Sequence, residues 1–498
     1  MHARRRSLSQ SSANVPYESL PNAPMPEMHS PTLPELDTEL DIESINNVEA
    51  EIIAAAPVDS RIRWIHFMLG CAVLLPWNVM ITATPYFLSR LKGSSIHSTF
   101  GSYLATSFTL SNFLFLAHAT ATSKKAPSAL RVRWSMLVLA SLTLLLTLGT
   151  FVHLPAGPFA AFVLLVGIAQ AGAGSYLQTS VVAVASLFGP SVMQAVMSGQ
   201  AAVAIVLSSI QVLSAAQSLR TSNIATFEID GAAEEKSARV FFGLSTLFLI
   251  VCAGGNVWLT RMPAYKAVVA PIDESWTRRM SGDFGDRRPL MAASPILSVS
   301  DTKNHIWDIA RRNLVYEIAV AYVFVVTLSV FPALTISIFP VNESFHPLFF
   351  SSIHFLVFST GDWFGRYLCS FPRLLIWSAK RLLAFSLART LFIPLFLACN
   401  FQRDRTLPYS PPLINSDVLF MLILFWFGLS NGYVSSMCMM SAPSLEHNPR
   451  LLGRKEDVDI AAPVASFCLV GGLVIGSMMS FGVGAAVCRC NPFTYTDF

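Results

Sequence analysis

The stretch PFAAFVLLVGIAQAGAGSYLQTSVVAVASLFGPSVMQAVMSGQAAVAIVLSSIQVLSAA, Pro158 to Ala216, carries no charged side chain and is punctuated at Phe188, Gly189 and Pro190. Each side of that turn signal is longer than the roughly 20 residues that carry an α-helix across about 30 Å of hydrocarbon. The stretch therefore reads as two membrane-spanning helices, 158–187 and 190–216, joined by a very short turn. Outward from it, apolar runs bounded by charges or by Pro and Gly give further spans near 63–87, 98–121, 134–152, 239–260, 312–337, 346–371, 380–399, 413–440 and 460–487. The chain is expected to be an all-α polytopic membrane protein with eleven transmembrane helices. Composition agrees: 53% of residues are hydrophobic and 13% charged, where soluble domains carry about a quarter charged. The spans recur to near residue 487 and no apolar run precedes Arg61, which excludes a secretory signal as their explanation.

The first sixty residues are different: seven prolines, ten carboxylates, a Ser-rich opening and no sustained apolar period, the composition of a disordered tail. Arg4, Arg5, Arg6 and Ser7 offer either a sorting or phosphorylation site or a merely solvated charge run. A second polar segment, 261–311, divides the spans into six (61–260) and five (312–498). Counted with the N-terminus inside, 24 Lys and Arg fall on the cytosolic face, 8 on the other and 2 within spans. The asymmetry predicts a cytosolic N-terminus and an exoplasmic or lumenal C-terminus. The scattered cations form no groove, which disfavours nucleic acid. Cys71, Cys252, Cys369, Cys399, Cys438 and Cys468 lie in apolar spans and read as small hydrophobes; only Cys488 and Cys490 have any metal or disulfide look. No cofactor, metal site or catalytic residue is expected, because no cluster of carboxylates, His ligands or nucleophile motif is present.

Polar groups inside a membrane are expensive, so those the spans retain mark the interior or a wet cavity. LLPWNVMITATPYF, Leu74 to Phe87, combines Pro76, whose missing N–H frees a carbonyl, with Trp77 and Asn78. Trp77 is either a π-face for a planar ligand or an interfacial anchor. Gln178 in AGAGSYLQTS and Gln200 in MSGQ supply a donor and an acceptor each, to a ligand or between helices. STGDWFGR sets Asp362 and Arg366 four residues apart on one helix face, as a structural lock or a ligand site, and Arg389 brings a further cation. Glu317 and Asp417 read as lying toward span ends, leaving Asp362 as the one central carboxylate. With Arg366 beside it, weak or absent proton coupling is expected.

LLPWNVMITATPYF, MSGQ, DWFGR, ARTLFIPLFLACN (Ala388 to Asn400) and SNGYVSSMCM (Ser430 to Met439), in this order, resemble the equilibrative nucleoside transporter family from the first span to the last. The resemblance implies a major-facilitator-like 6+5 arrangement and movement of nucleosides, sometimes nucleobases, down their gradient across a lipid bilayer. It implies that Trp77 lies beside the base, that Gln178 hydrogen-bonds it, and that Asp362 and Arg366 lie near the ribose. Leu74, Asn78, Gln200, Phe355, Ser359 and Arg389 are supporting positions. Ser359 departs from the family, which often has Asn there, and this bears on selectivity. Gly199, Gly432, Gly472 and Gly476 are read as permitting two bundles to slide. A major-facilitator carrier of another small organic solute is the alternative. The sequence leaves open plasma versus vacuolar or lysosomal membrane, and the oligomeric state.

Overall fold

The structure is a computed structural model that describes residues 58–94, 96–97, 99–123, 126–221, 231–269, 271, 299–332, 334–342, 345–400 and 412–488. The N-terminal tail through residue 57, the middle of the long polar segment and Cys490 lie outside the described residues.

The described residues are almost wholly helical. The helices are α1 (Ser60–Thr82), α2 (Thr84–Arg90), α3 (Phe100–Ala121), α4 (Ser128–Gly149), α5 (Ala156–Leu187), α6 (Pro190–Thr221), α7 (Gly231–Leu259), α8 (Val299–Val330), α9 (Pro347–Leu368), α10 (Ala379–Ala388), α11 (Phe392–Leu397), α12 (Asp417–Ser441) and α13 (Val458–Cys488). Among the described residues, eight are long and apolar enough to cross a membrane: α1, α4, α5, α6, α7, α8, α12 and α13. α3 and α9 match them in length, with 22 residues each, but carry more polar side chains. Large apolar residues cover the outside, among them Leu165 and Met478, each 67% exposed, as lipid contact requires.

Local chemistry explains where the helices begin and break. The Asp59 carboxylate accepts from the Arg61 N–H at 2.9 Å and caps α1. Gly189, at φ +89°, makes the turn between α5 and α6, and Pro190 opens α6 where its missing N–H is harmless. Pro76 does not break α1, which runs through it to Thr82; the break falls at Thr84 and Pro85, which start α2. The ninth span is broken too. Pro394 cannot donate to the Thr390 carbonyl, and residues 389–391 tighten into a 3₁₀ turn between α10 and α11.

α8 begins at Val299 instead of near 312, so the end of the polar segment is helical. Arg312 pairs with Asp308 one turn away and Arg311 lies 5.4 Å over the Trp307 ring, contacts that let a charged sequence continue a helix. That extension also moves Glu317 from an expected span end to the nineteenth residue of a 32-residue helix, 3% exposed.

Three helix pairs pack so closely that backbones touch. A Cβ on Gly432 would lie 1.8 Å from the Asp362 carbonyl oxygen, one on Gly365 2.1 Å from that of Leu429, one on Gly199 2.0 Å from that of Phe67, and one on Gly472 2.2 Å from that of Ala321. These contacts are α9 with α12, α1 with α6, and α8 with α13. Each pair lies within one half of the sequence, so the glycines expected to let bundles slide instead bind helices inside a half. Between the halves, α6 packs on α9 and α12, and α13 packs on α5 and α3.

Candidate functional site

Asp362, Arg366 and Arg389 are buried together, at 7%, 5% and 1% exposure. Helical spacing puts Arg366 Nε 2.9 Å from Asp362 Oδ2, and the close approach of α9 and α12 puts Asn431 Nδ2 2.6 Å from Asp362 Oδ1. The Asn431 carbonyl oxygen accepts from Thr327 Oγ1 of α8 at 2.7 Å and from the Arg389 guanidinium at 3.5 Å. Because the chain breaks at Arg389, its side chain turns inward: it donates to the Phe427 carbonyl oxygen at 2.9 Å, to the Ser430 hydroxyl and to Thr327 Oγ1 at 2.8 Å, and lies 4.6 Å over the Phe427 ring. One carboxylate thus stands between two guanidiniums, with Asn431 as the bridge.

Arg366 also joins the halves of the chain. Its Nη1 donates to the Met197 carbonyl oxygen of α6 at 3.1 Å, and Gln194 of α6 donates to the Arg366 carbonyl oxygen at 3.1 Å. Farther along the same two helices, the Ser208 and Ser359 hydroxyls lie 3.2 Å apart. A second junction brings α13 against α5 and α3: Gln178 Nε2 of α5 donates to Ser466 Oγ at 2.8 Å, and the Phe113 ring of α3 stacks on that of Phe467 at 5.2 Å. The Ser186 hydroxyl, which donates to the Ala183 carbonyl oxygen at 2.7 Å, also lies 3.4 Å from the Val458 carbonyl oxygen at the start of α13.

The remaining expected residues are placed separately. Trp77 is half-buried with its ring 4.6 Å from that of Phe108. Asn78 donates at 2.8 Å to the carbonyl oxygen of Leu74 on its own helix, and so does not fill the vacancy that Pro76 leaves. Gln200 is 7% exposed on α6. Phe355 stacks on His354 at 4.6 Å and meets Phe331 edge-on at 5.2 Å, within an apolar cluster. A hollow of about 490 Å³ lined by Asp59, Arg61, Trp258, Arg261, Met262, Pro263 and Ala264 contains none of these residues. Sequence reasoning missed Asn431, Thr327, Gln194 and Ser466 as members of the network; their signal is a hydrogen-bonding side chain inside an apolar span.

Chemically, the Asp362 carboxylate uses one position on each oxygen and keeps lone pairs for a ligand hydroxyl, while the two guanidiniums leave the cluster with one net positive charge. The cluster contains neither a nucleophile–base pair nor a group of metal ligands; the described residues hold no set of three His, Cys, Asp or Glu fit for a metal.

Comparison with known proteins identifies the family. Residues 162–485 match the family model described as nucleoside transporter. The chain is 24% identical to human equilibrative nucleoside transporter 1, covering 84% of this chain and 95% of that one. It is 28% identical to human equilibrative nucleoside transporter 2, over 83% and 95%. Against the Arabidopsis thaliana equilibrative nucleotide transporter 1 the identity is 24%, covering 84% of each. The fold resembles that of a major facilitator superfamily proton:xylose symporter, with a TM-score of 0.50 at 10% identity, covering 90% of this chain and 92% of that one. The family model spans more than half of the chain, and the relatives match along most of their length: the chain belongs to the nucleoside transporter family.

Proposed function

We propose that this protein moves nucleosides across a bilayer down their gradient, by alternating access around a site that includes Trp77, Gln178, Asp362 and Arg366. The observation that carries the reading is the Asp362–Arg366 pair, buried and tied across to α6, in a chain of this family. A nucleoside offers a flat base, a base edge with donors and acceptors, and ribose hydroxyls. Trp77 suits the face, Gln178 the edge, and the free lone pairs of Asp362 the hydroxyls.

In this reading α3, α9 and the broken α10–α11 segment cross the membrane along with the eight longer apolar helices, giving eleven crossings split between residues 61–260 and 312–498. The N-terminus lies in the cytosol. Four exposed tryptophans, Trp64, Trp134, Trp258 and Trp307, stand at the start of α1, the start of α4, the end of α7 and the start of α8, which alternation puts at one interface, and the cations there support its being the cytosolic one. Arg61, Arg131, Arg133, Arg261, Arg311 and Arg312 lie at the same ends.

The junctions Gln194–Arg366, Arg366–Met197, Gln178–Ser466 and Ser186–Val458 all lie in the portions of their helices nearest that face. In this reading they hold the carrier closed toward the cytosol. Transport to the other side then requires these bonds to break, and the Gln178 amide and Asp362 cluster are positioned to exchange protein partners for substrate as they do. Labelled uridine and adenosine should enter vesicles containing the purified protein until inside and outside concentrations match, with each competing against the other and glucose competing with neither. Saturable glucose flux in place of nucleoside flux would assign the chain to another solute.

A further inference from the structure

Asp362 has a cation and an amide as partners; Glu317 has only the weak donor of the Cys468 thiol. It sits in the interior of α8 at 3% exposure, and neither carboxyl oxygen, though both are fully buried, receives a hydrogen bond from a hydroxyl, amide or backbone N–H. Among the described residues no Lys, Arg or His forms an ion pair with it. The groups that face it from neighbouring helices are thiols, Cys468 of α13 and, farther off, Cys438 of α12. From α10 the Ser386 hydroxyl reaches this stretch but donates to the Ala319 carbonyl oxygen at 2.7 Å. On α8 itself, Tyr316 donates away to the Trp377 carbonyl oxygen at 2.7 Å. The Arg389 guanidinium meets α8 only at Thr327, ten residues on and therefore about 15 Å along the axis.

A bare carboxylate in such a place has neither water nor a cation to stabilise it, whereas the neutral acid has little charge to solvate. We propose that Glu317 is a proton-binding site, occupied while the carrier is closed as seen here and opened to water when α13 parts from the first half of the chain. The link runs through α13 as a body: the helix that presents Cys468 to Glu317 presents Ser466 and Phe467, on other faces, to Gln178 and Phe113. Release of those contacts frees α13 to shift or turn, and in this proposal that movement lets water reach the carboxyl group. The step is a simple ionisation: the O–H bond of the carboxyl group breaks, its electron pair stays on the carboxylate and the proton passes to water. Reclosure needs the proton back, so transport slows as pH rises.

This inference rests on the transport reading, and two measurements separate them. The first is uptake of labelled uridine into vesicles of equal internal and external pH. Wild-type uptake is expected to fall at alkaline pH, since each pH unit past the titration lowers the protonated fraction about tenfold. Glu317→Gln, which imitates the protonated acid, should transport with no such fall. The second is infrared difference spectroscopy of the same proteins on titration, where wild type should show the carbonyl stretch of a protonated carboxylic acid and Glu317→Gln should lack it. Glu317→Leu, checked for folding by its elution from a sizing column, should also lack the band and the alkaline fall. Identical pH profiles in wild type and Glu317→Gln, or an acid band unchanged by the substitution, would overturn the proposal. Absence of uridine uptake at every pH, with the band present and lost on substitution, would instead refute the transport reading and leave the proton site standing.

Discussion

Replacing Asp362 by Asn keeps the shape of the side chain but removes the charge that Arg366 and, through Asn431, Arg389 answer to. Each hydrogen bond from a ligand to a charged group contributes about 1.5–3 kcal/mol, or roughly 10- to 150-fold in affinity. Asp362→Asn should therefore reach its membrane and lose most uptake, and the swap Asp362→Arg with Arg366→Asp should not restore it, because Asn431 and Met197 present their donor and acceptor to fixed positions. Uptake at equal abundance checks this; near-normal uptake by the swapped protein would reduce the pair to a structural lock. Asn431→Leu should also be costly. It strips Asp362 of one donor and Arg389 and Thr327 of a shared acceptor, at about 1–3 kcal/mol for each buried group left unsatisfied. A thermal-inactivation midpoint well below wild type is the expected reading. Asp362 and Arg366 were legible because two charges in an apolar span are conspicuous and their partnership is local. Asn431 was not, because its partner lies 69 residues away and only the crossing of two helices brings them together.

At the scale of elements, the helix crossings depend on missing side chains. A methyl at Gly432 would collide with the Asp362 backbone at 1.8 Å, and backbone cannot yield as a flexible side chain can. Gly432→Ala should therefore spread α9 and α12, disturb the Asn431–Asp362 bond and destabilise by the 1–3 kcal/mol typical of overpacking, or more. Gly254→Ala, where nothing lies within 4 Å, should leave stability nearly unchanged. Thermal-inactivation midpoints for the two variants provide the comparison, and equal values would mean that the crossing adapts. The apolar centres of the helices were readable from hydropathy alone. Their ends and interruptions were not: Pro76 is absorbed within α1 while Pro85 starts a new helix, and charges that mark a span boundary by composition continue α8 through pairs one turn apart. Glu317 was misplaced for the same reason, its burial following from where α8 begins.

For the whole molecule, the account requires the two ends of the chain to lie on opposite sides of the membrane. In sealed cells a protease added outside should cut a C-terminal tag and spare an N-terminal one; cleavage of both would remove the eleven-crossing topology. An all-helical membrane protein was expected from the apolar spans, and its major-facilitator-like fold from the family resemblance, whereas which helices meet was not, since that pairing belongs to the tertiary packing of α6 on α9 and of α5 on α13. The central claim is that this packing encloses a site for nucleosides. Its most direct measurement is the uptake of labelled uridine and adenosine by vesicles reconstituted with the purified protein, beside vesicles carrying Asp362→Asn. The account predicts saturable entry that stops at equal concentrations, mutual competition between the two nucleosides, indifference to glucose and loss of most entry in the variant. Nucleoside entry no faster than into protein-free vesicles, or entry equally inhibited by glucose, would contradict it.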